Sequence, residues 1–162
     1  MRKNFPSRPT TDFAKENLFN VLNNQIDFES LQVLDLFAGT GSIGFEFASR
    51  GAKKIISIEK DFHSVKFIKK TIADLRFENI EVKCADVFKI IQKTVDKYDL
   101  IFADPPYDMK YIETIPDLIF ENSLLAEGGL FILEHSQDYD FSSHSHLKEL
   151  RKYGSVHFSV FR

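Results

Sequence analysis

A glycine-rich segment, Gly39-Thr40-Gly41-Ser42-Ile43-Gly44, has the G-x-G-x-x-G spacing of loops that hold nucleotide-type ligands. Glycines at these positions let the backbone turn tightly and approach a ligand. Glu59 follows about 20 residues after Gly39, where a carboxylate can accept hydrogen bonds from both ribose hydroxyls. A glycine-rich turn without a ligand is the alternative, but the acid at this distance favours nucleotide-type binding. The motif alone does not choose between a dinucleotide and an adenosyl ligand.

Asp35 favours the adenosyl ligand. It lies inside an apolar run, four residues before Gly39. A pyrophosphate at the following helix N-terminus would be repelled by a nearby carboxylate, whereas a cationic amino group or sulfonium would be attracted. A role as a cap or turn partner is the alternative for Asp35. Asp86, just past the third apolar run, could accept a hydrogen bond from an adenine amino group or cap the helix that follows it.

A second motif, Asp104-Pro105-Pro106-Tyr107, follows the fourth apolar run. Two prolines remove two N–H donors, so this turn presents acceptors, namely the Asp104 carboxylate and the Pro105 carbonyl. Acceptors suit a substrate amino group, because hydrogen bonds draw its lone pair out of conjugation with a ring and make it nucleophilic. Tyr107 could stack on that ring. A rigid turn with a capping aspartate is the alternative interpretation.

The apolar periodicity predicts the elements that must position these motifs. Helices are predicted over 12–24, 42–50, 61–76, 87–95 and 111–121, and strands over 33–37, 55–58, 80–84, 98–103, 130–133, 147–153 and 155–161. The first helix is expected to start at Thr11 or Asp12 with Glu16 completing a capping box. Alternating strands and helices indicate an α/β fold with a mostly parallel sheet, helices on both faces and a C-terminal antiparallel hairpin. Ligands of such sheets bind beyond the carboxyl ends of the strands.

Composition excludes several classes of protein. The 162 residues include one cysteine, which excludes a disulfide framework, and no apolar run is long enough for a membrane helix. We see no signal peptide and expect a single cytoplasmic domain. The formal net charge of −3 argues against a nucleic-acid partner, but residues 96–140 alone carry 11 acidic and 2 basic side chains, and both ends of the chain are basic. Six lysines between residues 53 and 70 could touch phosphates or form a solvated helix face.

The segment Asp35–Gly41 resembles motif I of class I S-adenosylmethionine-dependent methyltransferases, and Asp104–Tyr107 resembles their catalytic (Asn/Asp)-Pro-Pro-(Tyr/Phe/Trp) motif for nitrogen methylation. The stretches Arg8–Asp12 and Asn17–Leu22 are similar to the N-terminal signature of the RsmD family, which methylates guanine N2 in bacterial small-subunit ribosomal RNA. The ending from Tyr153 to Arg162 is similar to that family's last hairpin. The resemblance implies a Rossmann-like class I methyltransferase fold with seven strands.

The resemblance also implies roles for particular residues. The catalytic residues are expected to be Asp104, Pro105, Pro106 and Tyr107, which bind the guanine amino group and stack on the base. The residues expected to bind S-adenosylmethionine, and its product S-adenosylhomocysteine, are Arg8, Thr10, Thr11, Asp35, Phe37, Gly39, Gly41, Glu59, Lys60, Asp86 and Val87. No metal is expected. Residues 1–24 are expected to form a short segment and helix that close over the site of a single domain spanning residues 1–162.

The expected partner is small-subunit rRNA or the assembling small ribosomal subunit. The protein itself is expected to be a monomer. The family usually begins with a basic β-hairpin, whereas seven residues precede Arg8 here, so we expect either a shortened start or reduced RNA docking. Within enzymes, an adenine-N6 or protein-amide N-methyltransferase is the alternative, because the Asp-Pro-Pro-Tyr chemistry is shared. A catalytically idle adenosyl-binding module and a nicotinamide oxidoreductase are the alternatives from other classes, opposed by the acceptor turn and by Asp35.

Overall fold

The computed structural model describes the backbone of residues 9–162 and the side chains of residues 12–162. Five α-helices alternate with the first strands: α1 Pro9–Asn23, α2 Ser42–Ser49, α3 Phe62–Leu75, α4 Val87–Lys93 and α5 Ile115–Glu121. The strands are β1 Gln32–Leu36, β2 Lys54–Glu59, β3 Ile80–Cys84, β4 Tyr98–Ala103, β5 Leu125–His135, β6 Leu147–Tyr153 and β7 Val156–Phe161. Two short 3-10 helices, Phe28–Ser30 and Ile112–Thr114, precede β1 and α5.

The seven strands form one sheet in the order β3-β2-β1-β4-β5-β7-β6. The first five strands pair in parallel, and β7 runs antiparallel to both β5 and β6. The carboxyl ends of β2, β1 and β4 therefore lie side by side, with β1 in the middle. We call this end of the sheet the carboxyl edge. This arrangement confirms the predicted Rossmann-like α/β fold with its C-terminal antiparallel hairpin, and it places β3 at one side of the sheet.

Helices cover both faces of the sheet because parallel strands need apolar contacts on both sides. One face packs against α1 and α2, in a core that includes Leu18, Phe47 and Phe102. A smaller cluster, Val65, Ile68 and Val82, joins α3 to β3 at the same face. The other face packs against α4 and α5. Within the described residues, none of the helices is long and apolar enough to cross a membrane.

Two predicted element starts were wrong. Helix α1 begins at Pro9 rather than at residue 12, so Asp12 lies in the first turn instead of capping it. Proline suits a first helical position because its missing N–H has no partner there anyway. The predicted helix over 111–121 is a 3-10 turn followed by α5, which begins at Ile115.

Strand β5 is longer than the predicted 130–133. It begins at Leu125, and its pairing with β4 shifts register between Tyr98 and Leu100. A bulge forms there because Gly128 adopts a φ of 75° and Gly129 packs against the backbone of β4, where a Cβ would come within 3.1 Å of the Tyr98 carbonyl oxygen. The two adjacent glycines allow the strand to continue through the bulge.

Candidate functional site

The carboxyl edge of the sheet gathers the polar residues of the site on the face that carries α1 and α2. Asp35 of β1 pairs in register with Ser57 of β2 and with Phe102 of β4. Because side chains alternate along a strand, Asp104, two residues beyond Phe102, lies on the same face as Asp35. Glu59, two residues beyond Ser57, shares that face. Two carboxylates from β1 and β2 and a third from the residue after β4 therefore converge at one edge.

The loop after β1 has the conformation that glycine permits. Gly39 and Gly41 have φ values of 58° and 84°, in the left-handed region where a side chain is strained. The loop is closed by two backbone hydrogen bonds, from the Ala38 N–H to the Ile58 carbonyl at 2.9 Å and from the Gly41 N–H to the Ala38 carbonyl at 2.8 Å. A Cβ built on Gly39 would have no atom within 4 Å, so the backbone of Gly39 faces open space. A ligand can approach the chain closely at that point.

Phe37 stands before these glycines with a φ of 59°, an uncommon value for a residue with a side chain. Its ring is partly buried against the apolar core under α4 and α5. The structure therefore gives Phe37 a packing contact on the opposite face, while its backbone turns the chain into the glycine loop.

Glu59 is held by backbone N–H groups from two loops. Its Oε1 accepts a hydrogen bond from the Gly39 N–H at 3.0 Å, and its Oε2 accepts one from the Asp61 N–H at 2.8 Å. These bonds fix the carboxylate between the glycine loop and the start of α3. Each oxygen keeps a second lone pair, so the group can still accept from a ligand hydroxyl. The arrangement suits the ribose-binding role that the sequence predicted for Glu59.

Asp35 is a buried carboxyl with a perturbed pKa. Its residue surface is 2% exposed, and the pKa of the side chain is raised from 3.8 to about 8, chiefly by burial. The negative charges of Asp104 and, to a smaller extent, Glu59 contribute to this rise, whereas a hydrogen bond from the Gly44 N–H opposes it. A buried acid beside two other carboxylates is the arrangement that a cationic group would relieve.

Gly44 lets α2 pack closely over Asp35. A Cβ at Gly44 would lie 2.8 Å from Ser57 Oγ and 3.4 Å from Asp35 Oδ2. Both of these oxygens are buried, and neither has a hydrogen-bond partner among the described residues. Sequence reasoning missed Ser57 as part of the site, although a polar residue within the apolar run Ile55–Ile58 was the signal.

Asp86 caps α4. Its Oδ1 accepts a hydrogen bond from the Lys89 N–H at 3.2 Å, which is the capping alternative that the sequence left open. The preceding residue, Ala85, donates its N–H to the Glu59 carbonyl at 3.0 Å, so the cap is tied to the end of β2. Val87 begins the helix and is buried in the core. The structure therefore brings Asp86 close to Glu59 along the same edge.

The side chains of the turn after β4 pass from buried to exposed along the chain. Asp104 is half-buried, Pro105 is buried, and Tyr107 is 49% exposed. The Met109 N–H donates to the Pro106 carbonyl at 3.0 Å, which closes the turn. The charge of Asp104 raises the pKa of Asp35, and Ala103 pairs with Leu36, so this turn lies beside the end of β1.

Some predicted site residues stand apart from this cluster. Lys60 is exposed, and its carbonyl accepts a weak hydrogen bond from Cys84 Sγ at 3.5 Å. Arg8 lies outside the described residues, and of Thr10 and Thr11 only the backbone is described, within α1.

Glu134, which was not predicted, is buried near the end of β5, next to β4. Over the described part of the chain, no group of three or more His, Cys, Asp or Glu residues could hold a metal ion.

The residues fit the adenosyl ligand that the sequence predicts. Gly39 opens onto space, Glu59 is fixed with lone pairs to spare, and Asp35 keeps a buried oxygen without a described partner. A structure described as a putative methyltransferase from Escherichia coli superposes on this chain with a TM-score of 0.83 and 28% identity, covering 95% of this chain and 86% of that one. The fold and site are those of a class I S-adenosylmethionine-dependent methyltransferase.

Sequence comparisons narrow the class. A family profile described as "Conserved hypothetical protein 95" matches residues 2–162. A relative from Haemophilus influenzae named ribosomal RNA small subunit methyltransferase D is 35% identical over 135 residues, which cover 81% of this chain and 69% of the relative. A relative of the same name from Buchnera aphidicola is 29% identical over 158 residues, covering 95% and 80%. The chain belongs to the RsmD family.

Proposed function

We propose that this protein transfers a methyl group from S-adenosylmethionine to the exocyclic N2 amino group of a guanine in 16S ribosomal RNA. The observation that carries the proposal is the Asp104-Pro105-Pro106 turn at the carboxyl end of β4, beside the glycine loop, in which neither proline has an N–H donor. The names of the two relatives, both small-subunit rRNA methyltransferases, support an rRNA substrate. The resemblance of Arg8–Asp12 and Asn17–Leu22 to the N-terminal signature of the RsmD family supports guanine N2 as the methylated atom.

The cofactor's parts would be held by residues of β1, β2 and α4. When bound, S-adenosylmethionine supplies an activated methyl group on a sulfonium. Gly39 and Gly41 would lie against its amino-acid part, with the Asp35 carboxylate facing the positive charge. Glu59 would accept hydrogen bonds from the ribose hydroxyls, as its fixed orientation allows.

The rest of the cofactor would meet the neighbouring loops. Asp86 would accept from the adenine amino group through the lone pairs that its cap leaves, with Val87 beside the ring. We further propose that residues 1–162 act as one domain. Residues 1–24, including Arg8, Thr10 and Thr11, would close over the site.

The acceptor turn would hold and orient the guanine. The Asp104 carboxylate and the Pro105 carbonyl would accept hydrogen bonds from the amino group, which aims its lone pair at the methyl group. Tyr107, half exposed at the mouth of the site, would stack on the base. Most of the rate enhancement would come from positioning and from these oriented acceptors. The substrate would be small-subunit rRNA, free or in the assembling subunit. The enzyme would act on it as a monomer in the cytoplasm.

Methyl transfer with labelled S-adenosylmethionine tests the proposal. Small ribosomal subunits from a strain lacking this enzyme, their extracted rRNA, DNA and protein should be offered separately. We expect label in the subunits or in the rRNA, on guanine N2 after digestion to nucleosides. Label only on adenine N6 of DNA or RNA, or on protein amide nitrogen, would support the alternatives that share the Asp-Pro-Pro-Tyr chemistry and would overturn this proposal.

Asp104→Ala separates acceptor binding from cofactor binding. We expect a loss of transfer of roughly 100-fold or more, in the range measured when one oriented polar group is removed from a catalytic site. Calorimetry should show S-adenosylmethionine affinity within a few-fold of that of the unmodified protein. Asp108→Ala, an exposed aspartate of the same loop, is the matched control and should retain transfer. Equal losses of transfer and cofactor affinity in Asp104→Ala would place Asp104 in the cofactor site instead.

A further inference from the structure

The outer face of α3 combines lysines with exposed aromatic rings. The inner side of the helix packs through Val65 and Ile68 against β3. On the outer side, Lys66 and Lys70 lie one turn apart in the middle of the exposed face, because residues four apart are neighbours on a helix. Phe62 and Phe67 flank them on either side. We call Phe62, Lys66, Phe67, Lys69 and Lys70 the α3 face.

The two phenylalanines of the α3 face are not part of the core. Phe62 is 63% exposed and Phe67 is 54% exposed, although each ring is large enough to be costly in water. The Lys66 Nζ lies 5.7 Å from the centre of the Phe62 ring, in a cation–π contact. Aromatic rings interleaved with lysines are what a single-stranded nucleic acid needs, since bases stack on the rings and phosphates meet the ammonium groups.

Charge is distributed unevenly around the molecule. The stretch from Lys60 to Lys70 carries four lysines and one acid. Helix α5, on the opposite face of the sheet, and the 3-10 turn before it expose Glu113, Asp117 and Glu121, which would repel phosphates. A polyanion that approaches the site is therefore attracted to the α3 side of the carboxyl edge and repelled from the α5 side.

The α3 face is continuous with the site. Helix α3 begins directly after Glu59 and its neighbours at the carboxyl edge, where Asp61 caps it by accepting from the Ser64 N–H at 2.9 Å. The helix then runs back along the sheet for 14 residues, which is about 21 Å at 1.5 Å per residue. Nucleotides that flank a base held at Asp104 can thus reach the first turns of this helix.

We infer that the α3 face binds the RNA that flanks the target nucleotide, with lysines on phosphates and Phe67 stacked on an unpaired base. This inference rests on the proposed function, since it supplies the docking surface for the rRNA substrate. RNA is favoured over a lipid surface because α3 is anchored along its length to the sheet and its lysines separate the two rings. A membrane-binding helix would carry a continuous apolar face instead.

The test compares two pairs of lysines with the same spacing. Lys66→Gln/Lys70→Gln removes two charges from the α3 face, and Lys89→Gln/Lys93→Gln removes two exposed charges from α4 on the opposite face. Glutamine keeps the helix propensity of lysine, so folding is unaffected in both. Two quantities are measured between 0.05 and 0.2 M salt. One is the affinity for 16S rRNA from a strain lacking this enzyme, and the other is the KM for methylation of small ribosomal subunits from the same strain.

Lys66→Gln/Lys70→Gln, the α3 pair of substitutions, should weaken rRNA binding by roughly 25- to 60-fold at about 0.1 M salt. It should also reduce the slope of log affinity against log salt concentration by roughly 1.4 to 1.8. Phe67→Ala should weaken rRNA binding by about fivefold or more with an unchanged slope. The control pair should stay within about threefold. If the unmodified protein methylates the subunits while the α3 pair keeps its KM and salt slope, the inference fails and the proposed function stands.

Two other outcomes are also decisive. If the unmodified protein methylates neither subunits nor rRNA, the proposed function itself fails. Binding of the unmodified protein, but not of the α3 pair, to vesicles of anionic phospholipid with no loss of rRNA affinity would assign the α3 face to a membrane surface and overturn the inference.

Discussion

Replacing Asp35 by asparagine tests whether a protonated carboxyl occupies the cofactor site before the cofactor arrives. With a pKa of about 8, the side chain is roughly nine-tenths protonated at pH 7, and the neutral amide mimics that state. The folded pKa lies above the unfolded value of 3.8, so between about pH 4 and 8 the unfolded chain is ionised while the folded chain holds a proton. The unmodified protein therefore loses stability across this window, by up to about 1.4 kcal/mol for each pH unit.

The asparagine variant lacks this loss. Its stability relative to the unmodified protein should rise steadily from pH 4 to 8 and become constant above pH 8, as measured by urea unfolding without cofactor. Asp99→Asn is the matched control: Asp99 lies near the opposite edge of the same sheet, where its Oδ2 accepts from the Gln32 N–H at 2.9 Å. The control should not gain stability as the pH rises.

The affinity for the cofactor should change with pH in the opposite direction to the stability of the unmodified protein. If the carboxylate form faces the cofactor's positive charge, ionising Asp35 costs about 1.4 kcal/mol at pH 7, which is a tenfold loss of affinity. The affinity of the unmodified protein for S-adenosylmethionine should then rise about 50-fold from pH 6 to pH 8, following the ionised fraction. Calorimetry in two buffers of different ionisation enthalpy should detect the release of close to one proton at pH 7.

The asparagine variant separates Asp35 from the cofactor's own amino group. Any pH dependence that belongs to the cofactor persists in the variant, and only the difference between the two proteins reports on Asp35. If the variant binds as tightly as the unmodified protein at pH 8, with the same pH profile and the same proton release, then Asp35 does not ionise on binding and the reasoning is refuted.

Two further predictions concern the supports of the same site. Gly44→Ala should destabilise the protein by about 1–3 kcal/mol, because the new methyl group would overlap Ser57 Oγ at 2.8 Å. Thermal unfolding should show a shift of about 2–4 °C for each kcal/mol, and adding Ser57→Ala should restore most of it; independent effects of the two changes would contradict the overlap. Glu59→Gln should raise the KM for S-adenosylmethionine about tenfold with a smaller change in kcat, since an amide cannot accept from both the Gly39 and Asp61 N–H groups. An unchanged KM in steady-state assays would show that this carboxylate does not shape the cofactor site.

Most elements were predictable because they are locally encoded. The strand Ile80–Cys84 alternates apolar and polar residues, and the strand Tyr98–Ala103 is a short apolar run; the structure has both with the predicted bounds. The β5 bulge was not predictable, because the preference of Gly128-Gly129 for a turn is overridden by pairing with β4, which is distant in sequence. Pairing of this kind is a tertiary contact, and no local pattern reports it.

The candidate site divides in the same way. The positions of Asp35, Glu59 and Asp104 at one edge follow from their places at strand ends, which the sequence shows. The competing uses of Asp86 could not be separated, since a cap and a ligand contact call for the same residue type at the same place. The burial that raises the pKa of Asp35 arises from the packing of α2, which depends on the glycine at position 44.

The place of β7 in the sheet has a consequence for biogenesis. Strand β7 follows β6 along the chain, yet it lies between β5 and β6, and its Phe158 packs in the same core as Leu18 of α1. Helix α1 therefore packs partly against residues about 140 positions later in the chain, and closing so long a loop is slow. Any chain that stops before Val156 leaves the edge of β5 unpaired, which is a template for aggregation. We expect such nascent chains to depend on chaperones until the hairpin has emerged.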